Sequence, residues 1–211
     1  MTIRYVVFDF DGTLADTSEA FMYAWNKLAD KYRYKKIKLE QIETIKKLNM
    51  KERSVLLNFP LYKIPFVMPE LIKLYKDSVV DITLFPGVKS LLEKLNKTGY
   101  KIAIISSNSE GNIKNALKRN HADHLITDVI SAKRIFGKDK TIDQFLKIKK
   151  LQASEMIYIG DEIRDIIACK KSNVKIVWVE WGYDGLDVVK SAEPDYMVKK
   201  PDEILEIVKK R

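Results

Sequence analysis

The stretch YVVFDFDGT, residues 5–13, joins a short apolar run to two carboxylates that are separated by one residue. The run Tyr5–Phe8 contains no charged residue, as is expected of a strand in a parallel sheet that helices cover on both faces. Asp9 and Asp11 would then lie at the carboxyl end of that strand, the edge of an open α/β sheet where ligands bind. Gly12 follows and allows a tight turn with close approach of the backbone. For the Asp-x-Asp spacing alone, a solvated turn or a helix N-cap is the alternative interpretation.

The rest of the chain alternates short apolar runs with helical patterns, which indicates a mostly parallel sheet. The other runs predicted as strands are Ile102–Ile105, Leu125–Ile130, Ile157–Ile159, Ile176–Val179 and Tyr196–Val198. Apolar stripes at helical spacing lie between them, such as Val88, Leu91, Leu92 and Leu95. These repeated strand–helix units predict an α/β architecture.

One region breaks the alternation, because only helical patterns occur between Leu14 and Leu84. Its clearest stripe consists of Phe21, Ala24, Trp25 and Leu28, and further helices are predicted near Leu39–Leu48, Lys51–Asn58 and Val67–Val79. Helices inserted directly after the first strand predict a small second domain. The predicted division is an α/β core of residues 1–14 and 84–211 and a helical domain of residues 15–83.

The composition excludes several classes of protein. The 211 residues include a single Cys, which cannot form an internal disulfide, so a small secreted scaffold is excluded. No apolar run approaches the roughly 18–20 residues that cross a bilayer, and the first ten residues lack the pattern of a signal peptide. We therefore expect a cytoplasmic protein without a membrane partner.

The formal net charge is +9, from 38 Lys and Arg against 29 Asp and Glu. The basic residues are scattered, and no basic cluster carries the interleaved aromatic residues of a single-strand binding platform. A mildly cationic solvated surface is one interpretation of this charge. A positive field that attracts anionic ligands is the other. No nucleic-acid partner is expected.

Two further predicted strands end in polar residues. Ile102–Ile105 runs into Ser106-Ser107-Asn108, and Ile157–Ile159 runs into GDEIRD, residues 160–165, with the basic loop FGKDK, residues 136–140, between them in sequence. Because the carboxyl ends of parallel strands meet at one edge, acids, hydroxyl donors and a cation would converge there. Hard oxygen ligands select Mg²⁺, which is held by a few carboxylates plus substrate phosphate. The pattern predicts a Mg²⁺ and phosphate site.

These residues resemble the motifs of the haloacid dehalogenase-like hydrolases. The four motifs appear in order as DFDGTLADT at 9–17, a strand into Ser106, GKDK at 137–140 and GDEIRD at 160–165. The helical insert is similar to that family's type-1 cap, and VEWGY at 179–183 with AEPDYMVKKPDEIL at 192–205 resembles its phosphoglycolate phosphatase-like branch. The resemblance implies a Rossmann-like parallel sheet core with an inserted all-α cap domain.

The resemblance also implies roles for the acidic residues. Asp9 would be the nucleophile that forms an aspartyl-phosphate, and Asp11 would be the general acid and then the general base. Asp9, the backbone carbonyl of Asp11 and Asp161 would hold Mg²⁺. Asp165 would either ligate the ion or support its ligands.

The phosphoryl oxygens would be bound by hydroxyl, amide and ammonium groups. Ser106 and Lys138 are the implied residues, with Asn108 beside them. Ser107 replaces Ser106 if the strand ends one residue later. Lys140 and Lys133 are the alternatives to Lys138, and Asp139 stands where many relatives have proline.

The implied function is a Mg²⁺-dependent phosphatase that hydrolyses a small phosphorylated metabolite, either a phosphoglycolate-like compound or a sugar phosphate, as a monomer or homodimer. The cap would exclude water and select the substrate through candidates Thr17, Phe21 and Trp25, although cap core or hinge is the alternative interpretation of these residues. A phosphomutase similar to β-phosphoglucomutase shares the cap and every motif. A non-catalytic binding module that retains the fold is the third hypothesis.

Overall fold

The computed structural model describes residues 2–78, 82–132 and 137–210. The strands are β1 (Tyr5–Phe8), β2 (Ala15–Asp16), β3 (Thr83–Leu84), β4 (Lys101–Ser106), β5 (Asp128–Ser131), β6 (Met156–Gly160), β7 (Lys175–Val179) and β8 (Tyr196–Val198). Six of them form one sheet in the order β5-β4-β1-β6-β7-β8, and every neighbouring pair is parallel. The predicted α/β sheet is confirmed.

The helices are α1 (Ser18–Tyr32), α2 (Ile42–Lys46), α3 (Met50–Leu56), α4 (Ile64–Ser78), α5 (Val88–Lys97), α6 (Glu110–Arg119), α7 (Lys138–Lys149), α8 (Ile163–Lys171), α9 (Leu186–Val189) and α10 (Pro201–Lys209). In the described part of the chain, no single helix is long and apolar enough to cross a membrane. One pair of helical segments is long and apolar enough when its two members are taken together, but the pair is bent by 99°. The segments are Met50–Leu56 and Leu61–Tyr75.

Alternate residues of β1 face opposite sides of the sheet. Val6 and Phe8 belong to one buried cluster, to which α5, α6 and α10 contribute. Tyr5 and Val7 belong to a second buried cluster, to which α7 and α8 contribute. Both faces of the sheet are therefore covered, which explains why its strands read as continuous apolar runs.

The central position of β1 aligns three strand ends. Phe8 pairs with Ile104 of β4 and with Ile159 of β6. The residues that follow these three positions in the chain are therefore delivered to the same edge of the sheet. The polar residues that follow β1, β4 and β6 therefore meet at this edge, because the three strands are parallel and in register.

Helices α1–α4, here called the cap helices, form a third buried cluster of their own. Ala24, Trp25 and Leu28 of α1 pack there with Val67 and Leu71 of α4. The stripe predicted for α1 is thus confirmed at these three positions. β2 and β3 pair antiparallel between the cap helices and the sheet, at the junction that the sequence predicts. The domain boundaries stay a prediction.

Some element boundaries differ from those expected. The strand predicted at Leu125–Ile130 begins only at Asp128, because Asp123–Leu125 forms a 3-10 turn that buries Leu125 in the core. An apolar run alone cannot distinguish a buried turn from a strand. Likewise the helix predicted near Leu39–Leu48 divides into a short 3-10 turn and α2. Val79, the predicted end of α4, lies outside the described residues.

Candidate active site

Asp9 directly follows β1 and is held by both of its carboxylate oxygens. The side chain is only 1% exposed. Oδ1 accepts a hydrogen bond from the backbone N–H of Phe10 at 2.7 Å, and Oδ2 accepts one from Nζ of Lys138 at 2.7 Å. Burial by itself would raise the pKa of Asp9, but Lys138 and Arg164 outweigh it and hold that pKa below its usual value. Asp9 is therefore a buried, ionised carboxylate at the predicted edge.

Lys138 is the first residue of α7 and is 2% exposed. Its ammonium forms ion pairs with Asp9 and Asp165. Burial would lower the pKa of Lys138, but these two carboxylates raise it, so the residue stays a cation. The structure thus brings Lys138 to the site, whereas Lys140 is exposed and Lys133 lies outside the described residues.

Three carboxylates converge beside this lysine. One oxygen from each of Asp9, Glu162 and Asp165 lies within 4.8 Å of the others. Burial, opposed by Arg164 and assisted by Asp165, raises the pKa of Glu162 to about 7. Burial likewise raises the pKa of Asp165, although Lys138 opposes it. Glu162 was not among the site residues predicted from the sequence, where its signal was its place in the acidic stretch GDEIRD.

Asp161 lies in the short segment between β6 and α8. Helix α8 begins at Ile163, so Asp161 precedes the helix and does not share a helical face with Asp165. Its Oδ1 accepts a hydrogen bond from Oγ1 of Thr13 at 2.6 Å, and its Oδ2 accepts one from the backbone N–H of Tyr183 at 2.8 Å. Within the described part of the chain it lies outside the group of three carboxylates. Its role as a metal ligand stays a prediction.

Two glycines make room for Asp161. A Cβ atom on Gly182 would lie 2.1 Å from Cβ of Asp161, and one on Gly12 would lie 2.3 Å from its Oδ2. Burial, together with the charges of Glu162 and Asp9, raises the pKa of Asp161 well above its usual value. Carboxyl groups are therefore crowded at this edge of the sheet, and a cation bound there would favour their ionised forms.

Asp11 turns its carboxylate toward the cap helices. Oδ1 accepts hydrogen bonds from Nδ2 of Asn108 at 3.1 Å and from the hydroxyl of Tyr75 on α4. Burial raises the pKa of Asp11, and these donors partly offset that rise. Tyr75 lies 64 residues from Asp11 in sequence, and no local pattern marked it as a site residue. Coordination of a metal ion by the backbone carbonyl of Asp11 stays a prediction.

The two candidate serines occupy different environments. Ser106 is the last residue of β4, so the strand ends one residue later than predicted. Its Oγ accepts a hydrogen bond from the backbone N–H of Asn108 at 3.3 Å, whereas Oγ of Ser107 accepts one from Arg164 at 3.4 Å. The observed register is the one that favours Ser107 as the phosphate contact. Both assignments stay predictions.

The cap candidates divide into two kinds. Trp25 is buried in the cap cluster, which confirms the core interpretation of that residue. Phe21 is 39% exposed, and its ring centroid lies 6.3 Å from that of Tyr183 in the core. The hydroxyl of Thr17 is hydrogen-bonded to the hydroxyl of Tyr183. Thr17 and Phe21 therefore belong to the contact between the cap helices and the core.

A second contact joins the cap helices to the loop that precedes α9. The guanidinium of Arg53 on α3 contacts Oδ1 of Asp184 at 2.8 Å. The other oxygen of Asp184 accepts a hydrogen bond from the backbone N–H of Ile163 at the start of α8. Gly185 donates its backbone N–H to the carbonyl of Lys46 at 2.8 Å. The cap helices are thus fixed to the elements that carry the acidic cluster.

Comparisons with known proteins agree with this geometry. Residues 6–179 match the family model described as haloacid dehalogenase-like hydrolase. The chain is 26% identical over 206 residues to the phosphoglycolate phosphatase of Synechococcus elongatus, covering 98% of this chain and 97% of that protein. It is 25% identical over 224 residues to the pyrophosphatase PpaX of Bacillus velezensis, covering 97% and 96%.

The fold is also found among solved structures. A haloacid dehalogenase-like family hydrolase from Streptococcus pneumoniae superimposes with a TM-score of 0.80, covering 97% of this chain and 98% of that one. The two sequences are 22% identical, so this likeness concerns the fold. The sheet and the cap helices therefore belong to a fold that this protein shares with the Streptococcus pneumoniae hydrolase.

Proposed function

The chain belongs to the haloacid dehalogenase-like hydrolases, and from that membership we propose that it is a Mg²⁺-dependent phosphatase acting on a small phosphate monoester. The observation that carries the proposal is the state of Asp9. It is a buried carboxylate, kept ionised by Lys138, with a second carboxyl two residues along the chain. A nucleophile and an acid side by side suit phosphoryl transfer, and a purely binding role requires neither.

The proposed reaction has two displacements. In the first, a carboxylate oxygen of Asp9 attacks phosphorus, the bond from phosphorus to the alcohol oxygen breaks, and Asp11 gives its proton to that oxygen. In the second, Asp11 takes a proton from water, whose oxygen attacks phosphorus, and the bond between Asp9 and phosphorus breaks. Phosphate leaves and both carboxyl groups return to their starting states. Lys138 stabilises the charge on the phosphoryl oxygens during both steps.

The acidic cluster supports the proposal of a bound divalent cation. The oxygens of Asp9, Glu162 and Asp165 are hard donors, which suit Mg²⁺. Asp161 and the backbone carbonyl of Asp11 are the further ligands that the family resemblance implies. A bound cation would stabilise negative charge on the transferring phosphoryl group.

Removal of divalent cations with EDTA is expected to lower the rate of phosphate release by more than about 10²-fold, because several kcal/mol of charge stabilisation are lost. Excess Mg²⁺ should restore it. Added Mg²⁺ should also raise the melting temperature of the EDTA-treated protein, since an ion that binds only the folded state stabilises it. Undiminished activity in excess EDTA, with no change in melting temperature on adding Mg²⁺, would contradict the metal proposal.

A substrate screen tests the proposed function. Phosphate release is measured from phosphoglycolate, sugar phosphates, nucleoside monophosphates and pyrophosphate, the last because a relative is named a pyrophosphatase. Release from small monoesters supports the proposal. Transfer of label from a sugar bisphosphate to a sugar phosphate, rather than to water, would identify a phosphomutase instead. No turnover of any compound would favour a binding module.

A further inference from the structure

Tyr75 brings a hydroxyl from the cap helices to the carboxyl group of Asp11. It lies on α4, is partly buried, and donates its O–H to Oδ1 of Asp11. Nδ2 of Asn108 donates to the same oxygen at 3.1 Å and lies 3.5 Å from the Tyr75 hydroxyl. Two donors, one from the cap helices and one from the core, therefore converge on one oxygen of Asp11.

This arrangement fixes the orientation of the carboxyl group. An oxygen that accepts two hydrogen bonds is a poor place for a proton, so Oδ2 is the oxygen suited to exchange one with a substrate. A tyrosine hydroxyl ordinarily titrates near pH 10, so Tyr75 remains a donor at neutral pH. Without Tyr75, only Asn108 of this pair would remain to orient Oδ1.

The position of Tyr75 depends on the docking of the cap helices. α4 packs against α1 in the cap cluster, where Leu71 shares the core with Ala24 and Leu28. The same group of helices is fixed to the core by Arg53, whose guanidinium contacts Asp184. The Tyr75 hydroxyl therefore reaches Asp11 only because the cap helices are docked on the core.

We propose that Tyr75 is a positioning residue for Asp11. Through this contact, Tyr75 couples docking of the cap helices to protonation of the leaving group. The inference rests on the proposed function, because it assigns Asp11 the role of general acid. Tyr75 acts through Asp11 and forms no bond with phosphorus. Its contribution is confined to steps in which Asp11 transfers a proton.

The test compares Tyr75→Phe with the unaltered protein on two esters, an alkyl phosphate from the substrate screen and p-nitrophenyl phosphate. The ratio kcat/KM is measured, since it reports the steps through departure of the leaving group. An alkoxide needs a proton to leave, whereas p-nitrophenolate does not. We expect kcat/KM to fall by about 10-fold or more for the alkyl ester, part of the 10²–10⁴-fold that general acid catalysis supplies. For the nitrophenyl ester the change should stay within about 3-fold, since protonation contributes little there.

Tyr62→Phe is the matched control, because Tyr62 lies in the same region of the chain but is 74% exposed. It should leave both esters unchanged. Equal losses on both esters in Tyr75→Phe would show a merely structural role, and an unchanged alkyl rate would show that Tyr75 is dispensable. Either result overturns the inference. If the unaltered protein cleaves neither ester, it is the proposed function that fails.

Discussion

Asp9→Asn is expected to reduce phosphate release by about 10³-fold or more, because loss of a covalent nucleophile removes the reaction path itself. The amide has nearly the shape of the carboxylate, so it can still accept a hydrogen bond from Lys138. It lacks the negative charge and nucleophilicity that attack on phosphorus requires. The fold should therefore persist while activity is lost.

The measurement is the rate of phosphate release, with urea unfolding as the check on folding. Asp143→Asn makes the same chemical change at an exposed position on α7 and should retain full activity. Full activity in Asp9→Asn would remove the assignment of Asp9 as the nucleophile. A large loss in Asp143→Asn would show that the change acts through something other than the site.

Lys138→Met is expected to reduce both activity and stability. The ammonium is 2% exposed and lies between Asp9 and Asp165, so its removal leaves two buried carboxylates without their counter-charge. Breaking such a buried pair costs about 3–5 kcal/mol of folding free energy. Loss of one group that stabilises the transition-state charge lowers kcat by about 10²–10³-fold.

The stability loss should depend on pH in a defined direction. With Lys138 in place, the pKa of Asp9 is below its usual value. The ionised Asp9 therefore stabilises the fold at pH values above the ordinary carboxyl pKa, and this stabilisation is lost as the pH falls through the lowered pKa. Without Lys138, the penalty arises from ionised carboxylates and should shrink as they become protonated. The stability difference between Lys138→Met and the unaltered protein should therefore narrow below the carboxyl range.

Urea unfolding in EDTA measures this difference without a contribution from divalent cations. Lys140→Met is the matched control. Lys140 is exposed, lies two residues after Lys138 on α7, and was an alternative candidate for the phosphate contact. Lys140→Met should change neither the free energy of unfolding nor the rate of phosphate release appreciably. If Lys140→Met loses as much activity as Lys138→Met, the assignment of the phosphate-binding lysine is wrong.

Much of the sheet could be predicted because the signal is local. Tyr5–Phe8 and Ile102–Ile105 are apolar throughout, since both faces of the sheet are covered, and each is followed at once by polar residues. Leu125 shows the limit of this signal. A buried turn and a buried strand both require an apolar residue, so the periodicity could not place the start of β5.

The partners within the site were harder to predict. The sequence shows that Asp161 and Glu162 are both acidic, but not which carboxylate lies beside Asp9. That choice depends on the side-chain orientations that Thr13 and the backbone of Tyr183 impose on Asp161. Tyr75 lies within the helix predicted near Val67–Val79, and nothing in that pattern indicated that its hydroxyl would reach Asp11.

The sequence by itself determined the parallel sheet, the inserted helices and the kinds of side chain at the sheet edge, because apolar periodicity and polar strand ends depend only on near neighbours in the chain. Only the tertiary structure decided that Glu162 joins Asp9 and Asp165, that Lys138 rather than Lys140 lies between carboxylates, and that Tyr75 of the cap helices binds Asp11. These contacts join residues that are far apart in the chain, such as Asp9 and Lys138 at 129 positions, and they depend on how the helices pack against the core. Distances of a few ångströms between such residues follow from packing, which no local pattern encodes.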